Sequence, residues 1–231
     1  MLADADIATT LFITERPHHA HEKVRDEDLS QWDVLVIMSG DGLLYEVVNG
    51  IMERPDWEDT LKKPLCILPG GSGNALAASI NHYAGNDDVA KKKLLTNCTF
   101  ILCKGLHTQM DLVSLSTASA HWTVVPEEEF VFVYAIYQSH LGTNLLMAPA
   151  AGLHDGCMHL FYLKAGVSRV TLLKLFLAMA RGTHLDLNCP HLHYVPVQAF
   201  RLEPWVAAGI MTVDGGGPFT PSGQPPALSQ K

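Results

Sequence analysis

Val34-Leu35-Val36-Ile37-Met38-Ser39-Gly40-Asp41-Gly42 is the stretch of sequence that decides the fold. It is an apolar run that leads directly into a carboxylate between two glycines, and a helical pattern follows from Leu43 to Gly50. A second run of the same kind, from Leu65 to Asn74, passes through Gly-Gly-Ser-Gly into another helical pattern. Apolar strands that end in glycine turns before helices are typical of parallel α/β sheets.

The two glycine turns also indicate a ligand. In such sheets, nucleotides bind where the carboxyl ends of neighbouring parallel strands meet. Glycine allows a phosphate to approach the backbone closely, and the first turn of the following helix presents unpaired N–H groups to an anion. The sequence therefore predicts phosphate chemistry at these turns.

Composition limits the class of protein. The chain has 231 residues, of which 48% are hydrophobic and 17% are charged, and such a composition is typical of globular proteins with one large or two modest domains. A net charge of −8 argues against a nucleic-acid partner, which would require a basic face. The one basic run, Lys91 to Lys93, is predicted to lie in solvent at a helix start.

Cysteine usage and the N-terminal sequence indicate a cytoplasmic protein. The five cysteines are an odd number, and most lie in apolar runs, as reduced and buried thiols do. The first residues lack the features of a secretory signal, so Asn97-Cys98-Thr99 is interpreted as a chance glycosylation sequon. No apolar window is long enough to cross a bilayer. The helix predicted at 168–181 is expected to pack in the core, with a membrane surface or partner helix as the alternative.

The pattern of elements divides the chain into two halves. The N-terminal half is predicted to be a doubly wound α/β domain, 1–120, followed by an incomplete antiparallel β-sandwich, 121–215, and a disordered Pro/Gly tail, 216–231. The predicted elements of the first half are strands at Thr9–Ile13, 34–38, 65–68, Leu94–Cys103 and Met110–Leu115, and helices at Glu15–Gln31, 43–52 and 74–81. Those of the second half are strands at 122–125, 130–137, 158–163, 193–197, 199–203 and 209–215, and the helix at 168–181.

Two groups of side chains raise the question of a metal site. His18, His19 and His21 fall on a helix predicted to be exposed, where solvated histidines are the expected interpretation. Cys189, His191 and His193 surround Pro190 and alternate along a predicted strand, which favours ordinary β packing. No dedicated metal cluster is therefore predicted.

The segment Ser39 to Gly50 resembles the signature of the diacylglycerol-kinase-type catalytic domain family. Within that family the chain is most similar to the sphingosine kinases, and to their type 1 group in particular. The likeness covers most of residues 1–213. Besides Ser39–Gly50, it is carried by residues 52–57, 71–79, 81–85, 94–99, 121–126, 165–169 and 200–204.

The resemblance implies a fold and a reaction. It implies a nucleotide-binding domain, a β-sandwich that holds lipid, and ATP in the cleft between them, with transfer of the γ-phosphoryl group to the primary hydroxyl of a sphingoid base. Asp41 matches the family's general base, which removes the hydroxyl proton as the bond to phosphorus forms. On its own residues alone, a Gly-Asp-Gly carboxylate could equally shape a turn.

The resemblance also implies nucleotide contacts at further positions. The implied nucleotide-binding residues are Thr14, Glu15, Arg16, Ser39, Gly40, Gly42, Glu46, Gly71, Ser72, Gly73, Asp214 and Gly215. The N–H groups of Gly71 and Gly73 would donate to phosphate, and Asp214 would reach towards ATP and its Mg²⁺, which is held mainly by phosphate oxygens and water. A helix cap by Thr14 and a surface position for Glu46 are the alternatives.

Parts of the family pattern have no counterpart in this sequence. The first is the family's first strand with its glycine-rich phosphate loop. The second is a long segment between Ala120 and His121, which in the family carries the acidic residue that holds the sphingoid amine, arginines that reach the nucleotide phosphates and part of the lipid cavity. The third is the end of the sandwich beyond Gly215. We therefore expect impaired activity. The alternatives are a non-catalytic binding or regulatory module and a diacylglycerol-kinase-like enzyme. Unpaired sheet edges would favour a homo-oligomer, and a lipid substrate implies peripheral association with plasma membrane or endomembranes.

Overall fold

The computed structural model describes residues 2–112, 125 and 128–202 of the chain. Within them the helices are α1 (His19–Asp26), α2 (Asp41–Met52), α3 (Trp57–Thr60), α4 (Ala75–Tyr83), α5 (Lys91–Cys103) and α6 (Arg169–Met179). The strands are β1 (Leu35–Ser39), β2 (Leu65–Pro69), β3 (Phe130–Ile136), β4 (His140–Gly142), β5 (Leu145–Leu146), β6 (Met158–Lys164) and β7 (Leu192–Val197). The α/β class predicted from the sequence is confirmed.

The first half is built around two parallel strands. β1 and β2 pair in register, with Leu35 opposite Leu65 and Ser39 opposite Pro69. Two apolar clusters hold helices to this pair, one around Ile37 and Ile51 and the other around Ile67. The pairing brings the ends of both strands, and the glycine turns that follow them, to one edge of the sheet.

Two predicted strands of the first half are wrong. Residues 94–103 belong to α5. Leu94 and Cys98 lie one helical turn apart on this helix, so both are buried on the same side, against α4 and β2. Thr9–Ile13 is an exposed irregular segment, since no described strand pairs with it. Met110–Leu112 is also irregular, and the rest of that predicted strand lies outside the described residues.

The second half contains an antiparallel sheet covered by a helix. Its strand order is β3-β6-β7, with Ile136 opposite His159 and Phe161 opposite Tyr194. α6 begins where the Ser168 hydroxyl accepts a hydrogen bond from the Thr171 amide at 3.1 Å. Leu175 of this helix is buried in the core of the sheet. The predicted antiparallel half with one inserted helix is therefore observed.

The boundaries predicted in the second half are only partly covered by the structure. Residues 199–202 are irregular, so the described part of the predicted strand 199–203 is wrong. The predicted strands at 122–124 and 209–215 and the tail lie outside the described residues, and Val125 is not in a strand. The domain boundary at 120 also falls there and stays a prediction.

Two further features of the described residues are the state of the cysteine thiols and the length of the helices. The five cysteines, all within the described residues, form no disulfide, and burial raises the pKa of the Cys66 and Cys98 thiols to about 11. Among the described helices, none combines the length and the apolar character that a bilayer span requires.

Candidate active site

The two glycine turns are in direct backbone contact. The Gly70 amide donates to the Ser39 carbonyl at 3.0 Å, which extends the β1–β2 pairing into the turns. A Cβ atom on Gly71 would lie only 2.4 Å from the Cα atom of Gly40. Glycine at 71 is therefore a steric requirement of this close approach.

Asp41 lies between two helix N-termini. It is the first residue of α2, and its carboxylate also reaches the start of α4, where Oδ2 accepts from the Ala75 amide at 2.9 Å and Oδ1 accepts from the Leu76 amide at 3.2 Å. Amides at helix N-termini stabilise a negative charge. Asp41 is half-buried, and each carboxylate oxygen has a second lone pair, so the group can still accept a substrate proton.

Within the second glycine turn, Gly71 and Asn74 form hydrogen bonds with each other. The Gly71 amide donates to Asn74 Oδ1 at 2.9 Å, and Asn74 Nδ2 donates to the Gly71 carbonyl at 2.8 Å. The Gly71 amide is thus already engaged in this arrangement, unlike the free phosphate donor that the sequence predicts. Ser72 is exposed, and a Cβ atom on Gly73 would be 3.2 Å from Asp41 Oδ2.

Glu46 has an unusual environment for a glutamate on a helix. Its Oε2 atom is buried and, within the described residues, has no hydrogen-bond partner. Buried carboxylate oxygens are normally paired, because an unpaired one has a free-energy cost of about 1–3 kcal/mol. The burial of this oxygen argues against a plain surface glutamate, and a ligand that supplies a donor would relieve the cost.

The observed contacts do not link the other predicted nucleotide-binding residues to the glycine turns. Thr14, Glu15 and Arg16 are exposed; Arg16 pairs with Glu22 of α1 at 2.8 Å, and the Glu15 amide donates to His19 Nδ1 at 3.2 Å. Asp214 and Gly215 lie outside the described residues. Nucleotide contacts by these five residues stay predictions.

The structure adds residues that the sequence did not single out. The turn between β4 and β5 carries Thr143, whose amide donates to the Gly73 carbonyl at 2.9 Å and whose hydroxyl bonds to the same oxygen. On α4, Ser79 Oγ accepts from the His140 amide at 3.1 Å and Tyr83 Oη accepts from the Ser139 amide at 3.0 Å. The second half of the chain thus holds the second glycine turn and its helix in place.

Comparison with known proteins shows similarity in sequence and in fold. The family model of the diacylglycerol kinase catalytic domain matches residues 1–115. A crystal structure of a diacylglycerol kinase from Bacillus anthracis shares the fold, with a TM-score of 0.55 at 18% sequence identity over 80% of this chain and 70% of that chain.

Relatives with higher sequence identity are sphingosine kinases. Human sphingosine kinase 1 is 43% identical over an alignment of 302 residues that covers 93% of this chain and 79% of the relative. Mouse sphingosine kinase 1 is 41% identical, with coverages of 93% and 78%. Because the human alignment is longer than the 231-residue chain, that relative contains internal sequence with no counterpart here. The chain belongs to the sphingosine kinase family.

Proposed function

We propose that this chain is an ATP-dependent lipid kinase that transfers the γ-phosphoryl group of ATP to the primary hydroxyl of a sphingoid base. The observation that carries the proposal is the position of Asp41, which lies at the contact between the two glycine turns and beside the N-termini of α2 and α4. Helix N-termini are suited to the phosphates of a nucleotide, and a carboxylate beside them is suited to accept a hydroxyl proton.

The proposed reaction follows from these groups. Asp41 takes the hydroxyl proton while the hydroxyl oxygen forms a bond to the γ-phosphorus. The bond from that phosphorus to the bridging oxygen breaks, and ADP leaves with the electron pair. Mg²⁺ bound with the nucleotide would be held mainly by phosphate oxygens and water and would neutralise phosphate charge.

Nucleotide binding is proposed for the two turns and the residues that the family resemblance implies. Ser39 ends β1, Gly40 follows it, and Gly42 lies in the first turn of α2, whereas Ser72 and Gly73 belong to the second glycine turn. The buried and unpaired Oε2 atom of Glu46 supports a contact with a hydroxyl donor of the nucleotide. Donation by the Gly71 amide to phosphate would require the amide to leave Asn74 Oδ1.

We further propose that the protein works in the cytoplasm and associates peripherally with plasma membrane or endomembranes. A sphingoid base resides in a bilayer, so the enzyme has to reach the membrane surface. α6 supports this, because its exposed face carries Val170, Leu173 and Leu177 with basic residues beside them. For a homo-oligomer, we propose self-association through β3 and β7, which are the outer strands of the β3-β6-β7 sheet among the described residues.

Phosphate transfer from radiolabelled ATP tests the proposed reaction. Purified chain with Mg²⁺ is expected to label sphingosine and not diacylglycerol. Asp41→Asn is expected to reduce the rate by about 10²- to 10⁴-fold, the usual contribution of a general base. Asn retains one acceptor oxygen for the start of α4, so circular dichroism is expected to show a folded variant.

Asp59→Asn is the matched control. Asp59 is an exposed carboxylate that pairs with Lys62, and its removal is expected to leave the rate unchanged. Labelling of diacylglycerol alone would indicate a different lipid kinase. No labelling above the Asp41→Asn background would indicate a non-catalytic module.

A further inference from the structure

Three metal-ligating side chains converge at the turn that precedes β6. They are Asp155, Cys157 and His159, and one ligand atom from each lies within 4.8 Å of the other two. This group is distinct from the two histidine groups that the sequence pattern brings to attention. Among the described residues, it is the one such group of three.

The geometry centres on one nitrogen of His159. Its Nε2 atom lies 3.1 Å from Asp155 Oδ2 and 4.0 Å from Cys157 Sγ. Tetrahedral Zn²⁺ with ordinary bond lengths would place nitrogen about 3.4 Å from a carboxylate oxygen and about 3.5 Å from a thiolate sulfur. Both observed distances agree to within about half an ångström, so small side-chain movements would form the site.

The second nitrogen of His159 has the partner that a metal ligand requires. Nδ1 is 2.8 Å from Tyr194 Oη on the neighbouring strand β7. With the ring proton on Nδ1 and donated to Tyr194 Oη, the orientation of the ring is fixed and the lone pair of Nε2 is free for a metal. His159 is only 3% exposed, so this orientation is held by the core.

The backbone explains why the three side chains meet. Cys157 and His159 are two residues apart along an extended chain, so their side chains lie on the same face. Gly156 has a φ of +68°, which turns the chain sharply and returns Asp155 to that face. The Gly152 amide donates to Asp155 Oδ2 at 2.9 Å, and the Gly156 amide donates to Asp111 Oδ2 at 2.8 Å, which fixes the turn.

We propose that Asp155, Cys157 and His159 form a binding site for Zn²⁺ or a chemically similar divalent transition metal. A nitrogen, a thiolate and a carboxylate together suit zinc, whereas Mg²⁺ and Ca²⁺ prefer oxygen ligands alone. Three protein ligands leave the fourth tetrahedral position to water. The site lies in the second half of the chain and does not depend on the proposed kinase reaction.

Cobalt substitution tests the site through the thiolate. The full chain, purified and treated with chelator, is expected to bind one equivalent of Co²⁺ with a thiolate-to-cobalt absorption band in the near ultraviolet. Zn²⁺ is expected to displace Co²⁺ and abolish the band. Cys157→Ser is expected to remove the band, because the hydroxyl cannot supply the charge transfer.

Cys189→Ser is the control, since Cys189 belongs to the alternative group with His191 and His193 and is expected to retain the band. Tyr194→Phe is expected to keep the band but to weaken Zn²⁺ binding by about 10- to 100-fold, because it removes only the bond that orients His159. Circular dichroism identifies any variant that fails to fold. Absence of a band in the wild-type chain, or a band that survives in folded Cys157→Ser, would overturn the proposal and leave an Asp155–His159 ion pair beside an ordinary thiol.

Discussion

Gly71 shows at the scale of one residue why the candidate site needs glycine. In Gly71→Ala the new Cβ atom would meet the Gly40 backbone at 2.4 Å, and backbone atoms cannot rotate away as a side chain can. We expect the free energy of unfolding to fall by about 1–3 kcal/mol, as for other overpacked sites, together with a loss of phosphate transfer. Urea denaturation measures the first effect.

Gly142→Ala is the matched control for this prediction. Its Cβ atom would meet nothing within 4 Å, and its backbone is not in the left-handed region. The urea denaturation midpoint of Gly71→Ala should therefore be lower than that of Gly142→Ala. Equal midpoints would show that the glycine turns are not in tight contact in solution.

His140 makes stability depend on pH. Burial, and to a smaller extent the neighbouring His82, lowers the pKa of His140 to about 4, and the residue is only 5% exposed. An unfolded histidine has a pKa of about 6.5, so the unfolded state binds the proton first as the pH falls. The stabilisation is thus complete above about pH 6.5 and is lost towards about pH 4.

We expect the free energy of unfolding to fall by about 2 kcal/mol between about pH 7 and about pH 5 because of this residue alone. Urea denaturation of His140→Gln at both pH values should show a dependence that is weaker by that amount. His107→Gln, at an exposed position, is the control. An unchanged dependence in His140→Gln would contradict a buried neutral imidazole.

At the scale of the elements, α4 is joined to β4 by the Ser79 hydroxyl. Ser79 is fully buried, donates to the Ala75 carbonyl at 2.9 Å and accepts from the His140 amide at 3.1 Å. Ser79→Ala would leave the buried His140 amide without its acceptor, which we expect to lower the free energy of unfolding by about 1–3 kcal/mol. Urea denaturation provides the measurement.

Thr96→Ala provides the comparison for Ser79→Ala. Thr96 makes the same kind of bond to a carbonyl four residues earlier, Lys92, at 2.9 Å, but on an exposed helix surface and without a second partner. Its replacement is expected to change stability by less than about 0.5 kcal/mol. Similar losses in both variants would mean that the contact between α4 and β4 contributes nothing.

Elements defined by local pattern were predictable, and those defined by distant packing were less so. β1, β2 and the helices after them follow from apolar runs, glycine turns and helical spacing. The dense apolar run of α5 favours a strand, although the spacing of Leu94 and Cys98 fits the helix that the structure shows. The hairpin of β4 and β5 has no sequence signal, because strands of three and two residues are too short to show alternation.

The features of the candidate site were likewise predictable only where its residues are close together in the sequence. The glycines and Asp41 are consecutive or nearly so in sequence, and their role is visible there. The bond from Asp41 to the start of α4 spans 34 residues, and the contact of Thr143 with Gly73 spans 70. Such contacts depend on how the elements pack, which the pattern of a single sequence does not encode.

At the scale of the whole molecule, membrane binding depends on the outer face of α6. Leu173 and Leu177 are 60% and 65% exposed on the side opposite the core residue Leu175. Insertion of an exposed leucine into lipid contributes about 1.5–3 kcal/mol when complete. Replacement of both by glutamine is therefore expected to weaken binding to vesicles of anionic phospholipid by at least tenfold, measured by co-sedimentation.

The matched control replaces Leu11 and Leu106, which are 82% and 62% exposed but lie on other segments, by glutamine. This variant has the same change in composition and is expected to bind vesicles like the unmodified chain. Because Lys174 and Arg181 are exposed on or beside α6, added salt should weaken the binding of both the unmodified and control chains through screening. Equal losses in the two double variants would indicate a general hydrophobic effect, and no loss in either would assign the membrane contact to another surface.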